Sequence, residues 1–357
     1  MITSLRVCLI PGDGAGPEVS AATRRVLDAT GVEISWEVHD VGQVAYDRTG
    51  EALPSRLVEE IEECGLALKG PVATPRGAPF RSVNVSLRER LDLFLGVRPS
   101  RAFPGVPTPF PETDVVVLRM HDGDLYAGID YKPDDPVATA IRSALVEAGA
   151  DPLADDTGIS VKPISVAAAE RAAEAAFAWA RDNGRGRVTI VHKANVMRGS
   201  DGVFLEAARS VGAGFPELSV DDCLVDRLCA DLVRHPGRFD VLFAPMLYGD
   251  IASDLTAALC GGLGVAPGAN LGDRCAVFEA VHGTVRRHAG QGTANPAALI
   301  LSGAMLLRHA GAEEAAARVE GAVAAAIAAG AVTADLASDG ALPLTTSEMT
   351  DAIVERL

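Results

Sequence analysis

The order of apolar and polar positions along the chain predicts alternating strands and helices. Short apolar runs that end in Gly, Pro or polar residues are typical of buried strands, and they occur at residues 5–10, 66–69, 115–119, 187–192 and 240–244. Segments with helical spacing of apolar residues follow the first strand up to about residue 29 and recur at 138–148, 167–182, 222–235, 297–309 and 313–329. This alternation favours a layered α/β fold over separate all-α or all-β domains.

Length and composition fit a globular protein with more than one lobe. At 357 residues, 48% hydrophobic and 22% charged, the chain can form two lobes or one unusually large sheet. No internal repeat or linker is visible, so we expect a second domain to form where the chain leaves and re-enters the first. The net charge of −16 disfavours nucleic-acid binding. An anionic substrate would therefore need a local pocket of converging arginines.

The sequence predicts neither a membrane segment nor an extracellular disulfide framework. The longest uncharged stretch, residues 321–334, is mostly alanine and shorter than the roughly 20 apolar residues of a membrane span. The N-terminus lacks a signal-peptide pattern, so the cytoplasm is the expected location. Without any C-x-x-C spacing, the cysteines are expected to be reduced, buried thiols rather than zinc ligands or disulfides. They are Cys8, Cys64, Cys223, Cys229, Cys260 and Cys275.

A glycine-rich segment follows the first predicted strand. Gly12, Gly14 and Gly16 are followed at once by Pro17, whereas the dinucleotide fingerprint reads G-x-G-x-x-G. We therefore favour a tight strand-to-helix turn over a pyrophosphate cradle.

Three aspartates are candidate metal ligands. Asp250 and Asp254 are four residues apart, so on a helix both carboxylates project from one face, where they repel each other unless a cation lies between them. A solvated surface remains the alternative, although their neighbours are apolar. Asp226 falls at the margin of the apolar half of the helix predicted over 222–235, a position that taken alone slightly favours a surface aspartate over a ligand. Oxygen ligands of this type suit Mg²⁺ or Mn²⁺.

Arginines recur in three segments that could bind an anion. Arg88, Arg98 and Arg119 lie in or beside apolar runs, and a guanidinium matches a carboxylate bidentately. Ser82 could cap a helix that presents Asn84 and Arg88 on one face. Each arginine alone is more typical of a surface salt bridge, and only their convergence would be functional.

Tyr126 and Lys193 are candidates for proton transfer. A buried lysine has a readily lowered pKa, and a tyrosine beside it can give up its proton. Separately, each residue is equally well explained as an ordinary aromatic side chain or a lysine at a strand end.

Read together, these segments resemble the isocitrate and isopropylmalate dehydrogenases, metal-dependent β-decarboxylating dehydrogenases. The resemblance runs from residues 11–14 to the C-terminus in a consistent order. Residues 81–88 are similar to the isocitrate branch, in which a Ser and an Asn meet the distal carboxylate, as are residues 158–163 and 191–197. The resemblance implies a three-layer α/β fold with a mixed central sheet. It also implies a large cofactor-binding domain over 1–101 and 253–357, and a small domain with the dimer interface over 102–252.

The resemblance also implies a role for each candidate residue. The acid–base pair would be Tyr126 and Lys193, and the ligands of Mg²⁺ or Mn²⁺ would be Asp226, Asp250 and Asp254. Lys193 and Asp226 enter the site from the partner subunit in this family, so a homodimer with shared active sites is expected. The substrate would be a hydroxy-tricarboxylate or an analogue, bound by Thr74, Ser82, Asn84, Arg88, Arg98, Arg119 and Asn195.

The implied nicotinamide-cofactor loop contains His282, Gly283, Thr284, Arg287, His288 and Asn295. Members that use NAD have an Asp that binds the ribose 2′-hydroxyl; here Arg287 takes that position, which favours a 2′-phosphate and hence NADP. NAD stays an alternative, because Ala334 and Ser338 occupy the positions of the Tyr and Arg that assist in bacterial NADP-specific members.

Three departures from the family pattern bear on the substrate. Met120 and His121 follow Arg119 where Glu-Asn or Glu-Leu is expected, and Met246 stands where Asn is expected. The leading expectation is oxidative decarboxylation of isocitrate to 2-oxoglutarate. The alternative is a specialised enzyme for an isocitrate analogue, such as homoisocitrate, an alkylmalate or a phosphonate-bearing malate. A non-catalytic regulatory subunit is disfavoured, because the implied metal and acid–base positions are all filled.

Overall fold

The computed structural model describes residues 4–73, 79–338 and 340–357. Its strands are β1 (Ser4–Ile10), β2 (Glu33–Val38), β3 (Leu66–Lys69), β4 (Leu95–Arg101), β5 (Asp114–Met120), β6 (Asp130–Tyr131), β7 (Ile159–Ser160), β8 (Arg187–His192), β9 (Ser219–Leu224), β10 (Val241–Ala244), β11 (Pro267–Leu271) and β12 (Ala276–Ala280). Its helices are α1 (Gly16–Asp28), α2 (Gly42–Thr49), α3 (Ser55–Cys64), α4 (Val83–Arg90), α5 (Pro136–Glu147), α6 (Val166–Asp182), α7 (Asp201–Gly212), α8 (Val225–Arg234), α9 (Met246–Leu259), α10 (Ala297–His309), α11 (Glu313–Ala328) and α12 (Thr346–Val354).

One ten-stranded mixed sheet runs through the molecule in the order β2-β1-β3-β12-β11-β4-β5-β10-β8-β9. Neighbouring strands are parallel within each end of the sheet, whereas the central pairs β12-β11, β11-β4 and β4-β5 are antiparallel. Strands β6 and β7 form a separate antiparallel pair. The predicted mixed α/β fold is confirmed. The domain boundaries near residues 101 and 252 stay predictions, since the sheet continues across both.

Helices cover both faces of the sheet. Alternating positions on a strand point to opposite faces, so Val7 and Leu9 enter a large core shared with α1, α6, α10 and α11. Cys8 and Ile10 enter a core shared with α3 and α4, and farther along that face α8 and α9 enclose a third core. The result is three layers, and the candidate site lies on the face covered by α4 and α9.

Most predicted elements are confirmed within one or two residues, with one clear error. The helix predicted over 222–235 begins at Val225, because residues 219–224 pair with β8 as β9. The predicted strands do not include β2, β4, β6, β7, β9, β11 or β12. None of the described helices combines the length and apolarity that a membrane crossing requires.

The tight turn predicted after β1 is confirmed. Gly12 and Gly14 have φ values of 81° and 63°, a region that glycine adopts readily. A Cβ at Gly14 would lie 2.1 Å from the carbonyl oxygen of Thr284, which accepts a hydrogen bond from the Ala15 amide. The turn therefore packs directly against the segment that begins at residue 281.

Candidate active site

Strand register gathers polar side chains on one face of the sheet. Lys69 lies opposite Glu279, Asn270 lies opposite Gly96, and Gly96 lies opposite Arg119. Directly opposed residues share a face, so these positions form a polar row across the central strands. The row lies where the two parallel blocks of the sheet meet.

Glu279 is the centre of this row. Its carboxylate, in a residue only 5% exposed, binds Lys69 Nζ at 2.7 Å, Arg98 Nη2 at 3.0 Å and Arg88 Nη2 at 3.3 Å. The Asn270 amide donates a further hydrogen bond of 2.8 Å. Burial opposes ionisation, but the charges of Lys69, Arg98 and Arg88 hold the pKa of Glu279 well below its usual range. Three cations thus surround one carboxylate, which leaves the pocket positively charged.

Arg119 adds a fourth cation with unused hydrogen-bonding capacity. Its Nε donates to the Met246 carbonyl oxygen at 2.7 Å and its Nη1 lies 2.6 Å from Asp250 Oδ1, but its buried Nη2 has no hydrogen-bond partner among the described residues. Burial and the charges of Arg88 and Arg98 outweigh Asp250 and lower the pKa of Arg119 to about 10. Arg119 is therefore still charged near neutral pH, and an anion would complete its contacts.

Two glycines provide the space in which the arginines lie. A Cβ at Gly249 would lie 2.7 Å from Arg119 Cγ, and one at Gly268 would lie 2.5 Å from Arg98 Nη1. Side chains at these positions would displace the guanidinium groups. The absence of a side chain there is therefore part of the construction of the pocket.

Tyr126 and the two aspartates of α9 lie beside this cationic pocket. The Tyr126 hydroxyl donates to Asp250 Oδ2 at 2.5 Å, and the Arg119 guanidinium lies 5.1 Å from the Tyr126 ring centroid. Burial and Asp250 raise the pKa of Tyr126, so its hydroxyl keeps its proton near neutral pH. Asp254 follows one turn later on α9, as predicted, and burial together with Asp250 raises its pKa. Paired carboxylates with a phenol oxygen fit a hard divalent cation.

Asp124 fixes Tyr126 relative to α9. Its fully buried carboxylate accepts hydrogen bonds of 2.8 Å from the amides of Leu125 and Leu247. The first amide belongs to the short 3-10 turn Leu125–Ala127 that carries Tyr126, and the second lies in the first turn of α9. One side chain thus holds the tyrosine and the aspartate helix together.

Within the single chain Lys193 and Asp226 contact each other. Lys193 Nζ binds Asp226 Oδ1 at 2.5 Å, and the Asp226 side chain is 65% exposed. Among the described residues, the oxygens of Asp226, Asp250 and Asp254 do not form one cluster within 4.8 Å. Within the described part of a single chain, the three predicted metal ligands therefore do not converge on one point.

Apolar side chains are exposed near both groups. Val196, close to Lys193, is 68% exposed; Ile251, next to Asp250, is 50% exposed. On α8, which carries Asp226, Leu228 and Leu232 are buried while Val233 is 54% exposed. The predicted apolar half of this helix is only partly covered by its own chain.

The remaining predicted substrate residues are divided between three places. Ser82 precedes α4 at its N-cap position, but its side chain makes no capping hydrogen bond. The Asn84 Oδ1 is buried and has no hydrogen-bond partner among the described residues. Asn195 is exposed on the turn after β8. Thr74 lies outside the described residues.

The C-terminal part of the predicted cofactor loop is held in place by hydrogen bonds. Glu18 on α1 accepts from the amides of Gly292 and Ala294 at 3.2 and 3.0 Å. Asn295 bridges the Asp335 carboxylate, at 2.9 Å, and the Ala297 amide, at 2.9 Å. The loop therefore lies against α1 and the start of α10.

Within this loop the side chains of Arg286 and Arg287 are exposed. Arg287 is exposed on the 3-10 turn Arg286–His288, and His288 Nδ1 lies 2.8 Å from Thr293 Oγ1. Burial lowers the pKa of His282, whose Nδ1 lies 2.9 Å from the Gly283 carbonyl oxygen. No salt bridge to Arg286 or Arg287 occurs among the described residues. This turn thus offers positive charge to a ligand.

Of the three departures from the family pattern, His121 lies on the face of the cationic pocket and Met120 on the opposite face. Met120 is fully buried and packs in the large core on the opposite side of the sheet, and the side chain of Met246 is also buried. The His121 ring lies over Gly96 on the face of Arg119, with its Nδ1 2.8 Å from a backbone carbonyl oxygen and its Nε2 buried without a partner. Burial and the nearby charges of Arg88 and Arg119 lower the pKa of His121 well below its usual value.

Comparison with known proteins identifies the family. The sequence profile described as isocitrate/isopropylmalate dehydrogenase matches residues 6–353. The chain is 40% identical to isocitrate dehydrogenase (NAD) catalytic subunit 5, mitochondrial, of Arabidopsis thaliana, covering 99% of this chain and 89% of that protein. It is also 40% identical to human isocitrate dehydrogenase (NAD) subunit alpha, mitochondrial, covering 98% and 90%.

A solved structure agrees with these relatives. The crystal structure of isocitrate dehydrogenase from Methylococcus capsulatus superposes with a TM-score of 0.89 at 40% identity and 99% coverage of both chains. The family consists of decarboxylating oxidoreductases that use a divalent metal and a nicotinamide cofactor. The chain belongs to the isocitrate/isopropylmalate dehydrogenase family.

Proposed function

We propose that the protein oxidises isocitrate and releases CO₂ to give 2-oxoglutarate. The observation that carries this proposal is the convergence of Arg88, Arg98 and Arg119 beside Tyr126 and Asp250. A tricarboxylate needs several cations in one place, and planar guanidinium groups match carboxylates bidentately. The family, the relatives and the charge of the pocket support the same substrate class.

The unpaired groups of the pocket suggest how the substrate binds. Arg119 Nη2 lacks a partner, and Glu279 is shared among cations that a substrate carboxylate would also contact. Arg88, Arg98 and Arg119 would bind the two carboxylates next to the reacting carbons. Ser82 and Asn84, at the start of α4, would hold the third carboxylate, as the family resemblance implies.

Asp250 and Asp254 would bind the divalent cation together with the partner subunit's Asp226. When bound, the cation would supply Lewis acidity and the nicotinamide would supply the two-electron oxidant. Tyr126 keeps its proton near neutral pH because of burial and Asp250. Its hydroxyl would deliver that proton to the substrate carbon that loses CO₂. The partner subunit's Lys193 would then return a proton to Tyr126.

Shared active sites can be tested by mixing two inactive variants. A Tyr126→Phe chain and a Lys193→Gln chain, co-expressed in equal amounts, would form mixed dimers that each contain one intact site. About a quarter of wild-type activity should then return, since half of the dimers are mixed. If both residues act within one chain, the mixture stays inactive. The exposed apolar side chains around Val196, Val233 and Ile251 support this dimer.

For the cofactor, our proposal is NADP, with NAD as the alternative. Arg287 lies exposed on a basic turn and would bind a 2′-phosphate, whereas the relatives above are named as NAD enzymes. The measurement is the ratio of kcat/KM for NADP to that for NAD. Arg287→Asp should lower this ratio at least about tenfold, equivalent to about 1.4 kcal/mol. An unchanged ratio would remove Arg287 from cofactor selection. Lys132→Asp, on the turn after β6, is the charge-matched control.

His121 favours one alternative, an enzyme for an isocitrate analogue. Its unpartnered Nε2 and the charges around it give this pocket an acceptor where the family has Asn or Leu. The deciding experiment compares kcat/KM for isocitrate, homoisocitrate, isopropylmalate and phosphonate-bearing malates in wild type and His121→Asn. A higher wild-type value for an analogue, shifted toward isocitrate by the substitution, would favour the specialised enzyme. Turnover by the purified chain alone would exclude a regulatory subunit.

A further inference from the structure

A second cluster of metal-binding side chain types lies at the β1–β2 edge of the sheet, outside the catalytic pocket. Cys8 on β1 is opposite Glu37. His39 is two residues after Glu37 and therefore lies on the same face as Glu37 and Cys8. Helix α3 packs on this face, where Glu60 and Cys64 are four residues apart and therefore neighbours on the helix surface. Three elements thus bring four potential ligands together.

The ligand atoms converge more closely than packing alone requires. Cys8 Sγ, a nitrogen of His39 and a carboxylate oxygen of Glu60 all lie within 4.8 Å of one another, the one such group among the described residues. Cys64 Sγ lies 3.6 Å from Cys8 Sγ. Cys8 is fully buried, and the side chains of His39 and Glu60 are 20% and 12% exposed. The cluster is thus largely shielded from solvent.

The contact between His39 and Glu60 is the most informative feature. His39 Nε2 lies 2.6 Å from Glu60 Oε2, yet this buried nitrogen has no partner in hydrogen-bond geometry. Arg56 Nε binds the other oxygen, Oε1, at 2.6 Å and so turns Oε2 toward the ring. The contact holds an imidazole nitrogen and a carboxylate oxygen beside the Cys8 sulfur, so that three different ligand atoms face one point.

We propose that Cys8, His39 and Glu60, with Cys64 as the fourth ligand, bind Zn²⁺. Thiolate, imidazole and carboxylate together suit Zn²⁺ in tetrahedral coordination, and four protein ligands make a closed, structural site. Two Zn–S bonds of about 2.3 Å at the tetrahedral angle place the sulfurs about 3.8 Å apart, close to the 3.6 Å observed. The His39 and Glu60 atoms must separate to about 3.3 Å, a shift that side-chain rotation provides.

The surrounding charges fit this assignment. Two thiolates and one carboxylate exceed the charge of Zn²⁺ by one, and Arg56 on Glu60 Oε1 offsets the difference. Arg6 lies on the same face of β1 and pairs with Glu37 and Glu63 at the rim. A bound ion would add a link between β1, the segment after β2 and α3 to the backbone pairing, apolar contacts and ion pairs already at this edge. The sequence did not reveal this site. Its ligands come from separate elements and therefore show no C-x-x-C spacing.

The test is Co²⁺ binding to the reduced, chelator-treated dimer, followed by Zn²⁺ competition. Thiolate-to-Co²⁺ charge-transfer absorption should appear with about one equivalent of Co²⁺ per chain and disappear on addition of Zn²⁺. The aspartates of the active site offer only oxygen atoms as ligands, so Co²⁺ bound there cannot produce this absorption. His39→Ala should abolish the band and Cys64→Ser should weaken it, whereas Cys229→Ser and Asp254→Asn should retain it.

Partly exposed His39 is chosen for the main variant because its replacement leaves the core intact. Circular dichroism of each variant checks that the fold is kept. A band that survives both His39→Ala and Glu60→Gln would overturn the proposal, as would a folded, reduced wild type without any band. If a wild type without the band loses two of its six titratable thiols on mild oxidation and regains them with dithiothreitol, Cys8 and Cys64 form a redox pair instead.

Discussion

Replacing Glu279 by glutamine tests how the cationic pocket is stabilised. The carboxylate binds Lys69 at 2.7 Å, Arg98 at 3.0 Å and Arg88 at 3.3 Å, all with side chains no more than 15% exposed. Removal of one member of a buried ion-pair network costs about 3–5 kcal/mol, because the remaining charges stay desolvated and unpaired. Glutamine preserves the shape and one acceptor oxygen, so we expect about 3 kcal/mol, at the lower end of that range.

The assay is urea unfolding of the protein, followed by circular dichroism, with and without saturating isocitrate and Mg²⁺. In the ligand-free state Glu279→Gln should lose about 3 kcal/mol of unfolding free energy. Isocitrate should stabilise the variant more than the wild type, since its carboxylates replace the missing negative charge. The matched control is Glu313→Gln, whose partner Arg308 lies 3.0 Å away on the surface. That exposed pair should contribute about 0.2–1 kcal/mol.

The pH dependence of unfolding provides an independent check. The folded-state pKa of Glu279 is held below the unfolded value of about 4.3. Its stabilising contribution is therefore fully present above that pH and is lost as the pH falls through the folded-state pKa. Glu279→Gln should lack this component. If the variant is as stable as the control, or if isocitrate stabilises both proteins equally, the pocket does not depend on Glu279 for charge balance.

Two further predictions concern the substrate pocket. Gly268→Ala should displace the Arg98 guanidinium from Glu279, lower the unfolding free energy and raise the KM for isocitrate at least about tenfold. Gly321→Ala on α11, with no atom within 4 Å of the added methyl group, should leave that KM unchanged. Tyr126→Phe should lower kcat about 10²- to 10⁴-fold while KM changes little, because only proton transfer is lost. An unchanged kcat would remove Tyr126 from the mechanism.

The sequence predicted the apolar strands and longer helices well but not the strands that form the pocket. Strands β11 and β12 contain Pro267, Gly268, Asn270 and Glu279. These residues interrupt the apolar runs from which a buried strand is predicted. Both segments are strands because they lie at the centre of the sheet, where their polar side chains find partners on the site face. Pairing with β8 likewise decides that residues 222–224 are a strand, although local spacing favours helix.

The candidate site shows the same difference between local and long-range information. The pairing of Asp250 and Asp254 followed from a spacing of four residues, and α9 confirms it. The contact of Arg88 with Glu279 joins residues 191 positions apart, so no local pattern could reveal it. Lys193 and Asp226 contact each other rather than Tyr126 within one chain, and their predicted role depends on a second subunit.

The most direct test of the central proposal is reduction of NADP or NAD by the purified protein with isocitrate and Mn²⁺. The account predicts rapid reduction that requires the metal, with 2-oxoglutarate and CO₂ formed in equal amounts to the reduced cofactor. It also predicts that NADP is the better cofactor. Folded, dimeric protein that reduces neither cofactor with isocitrate would contradict the proposed function and direct the search to analogues accepted by a pocket containing His121.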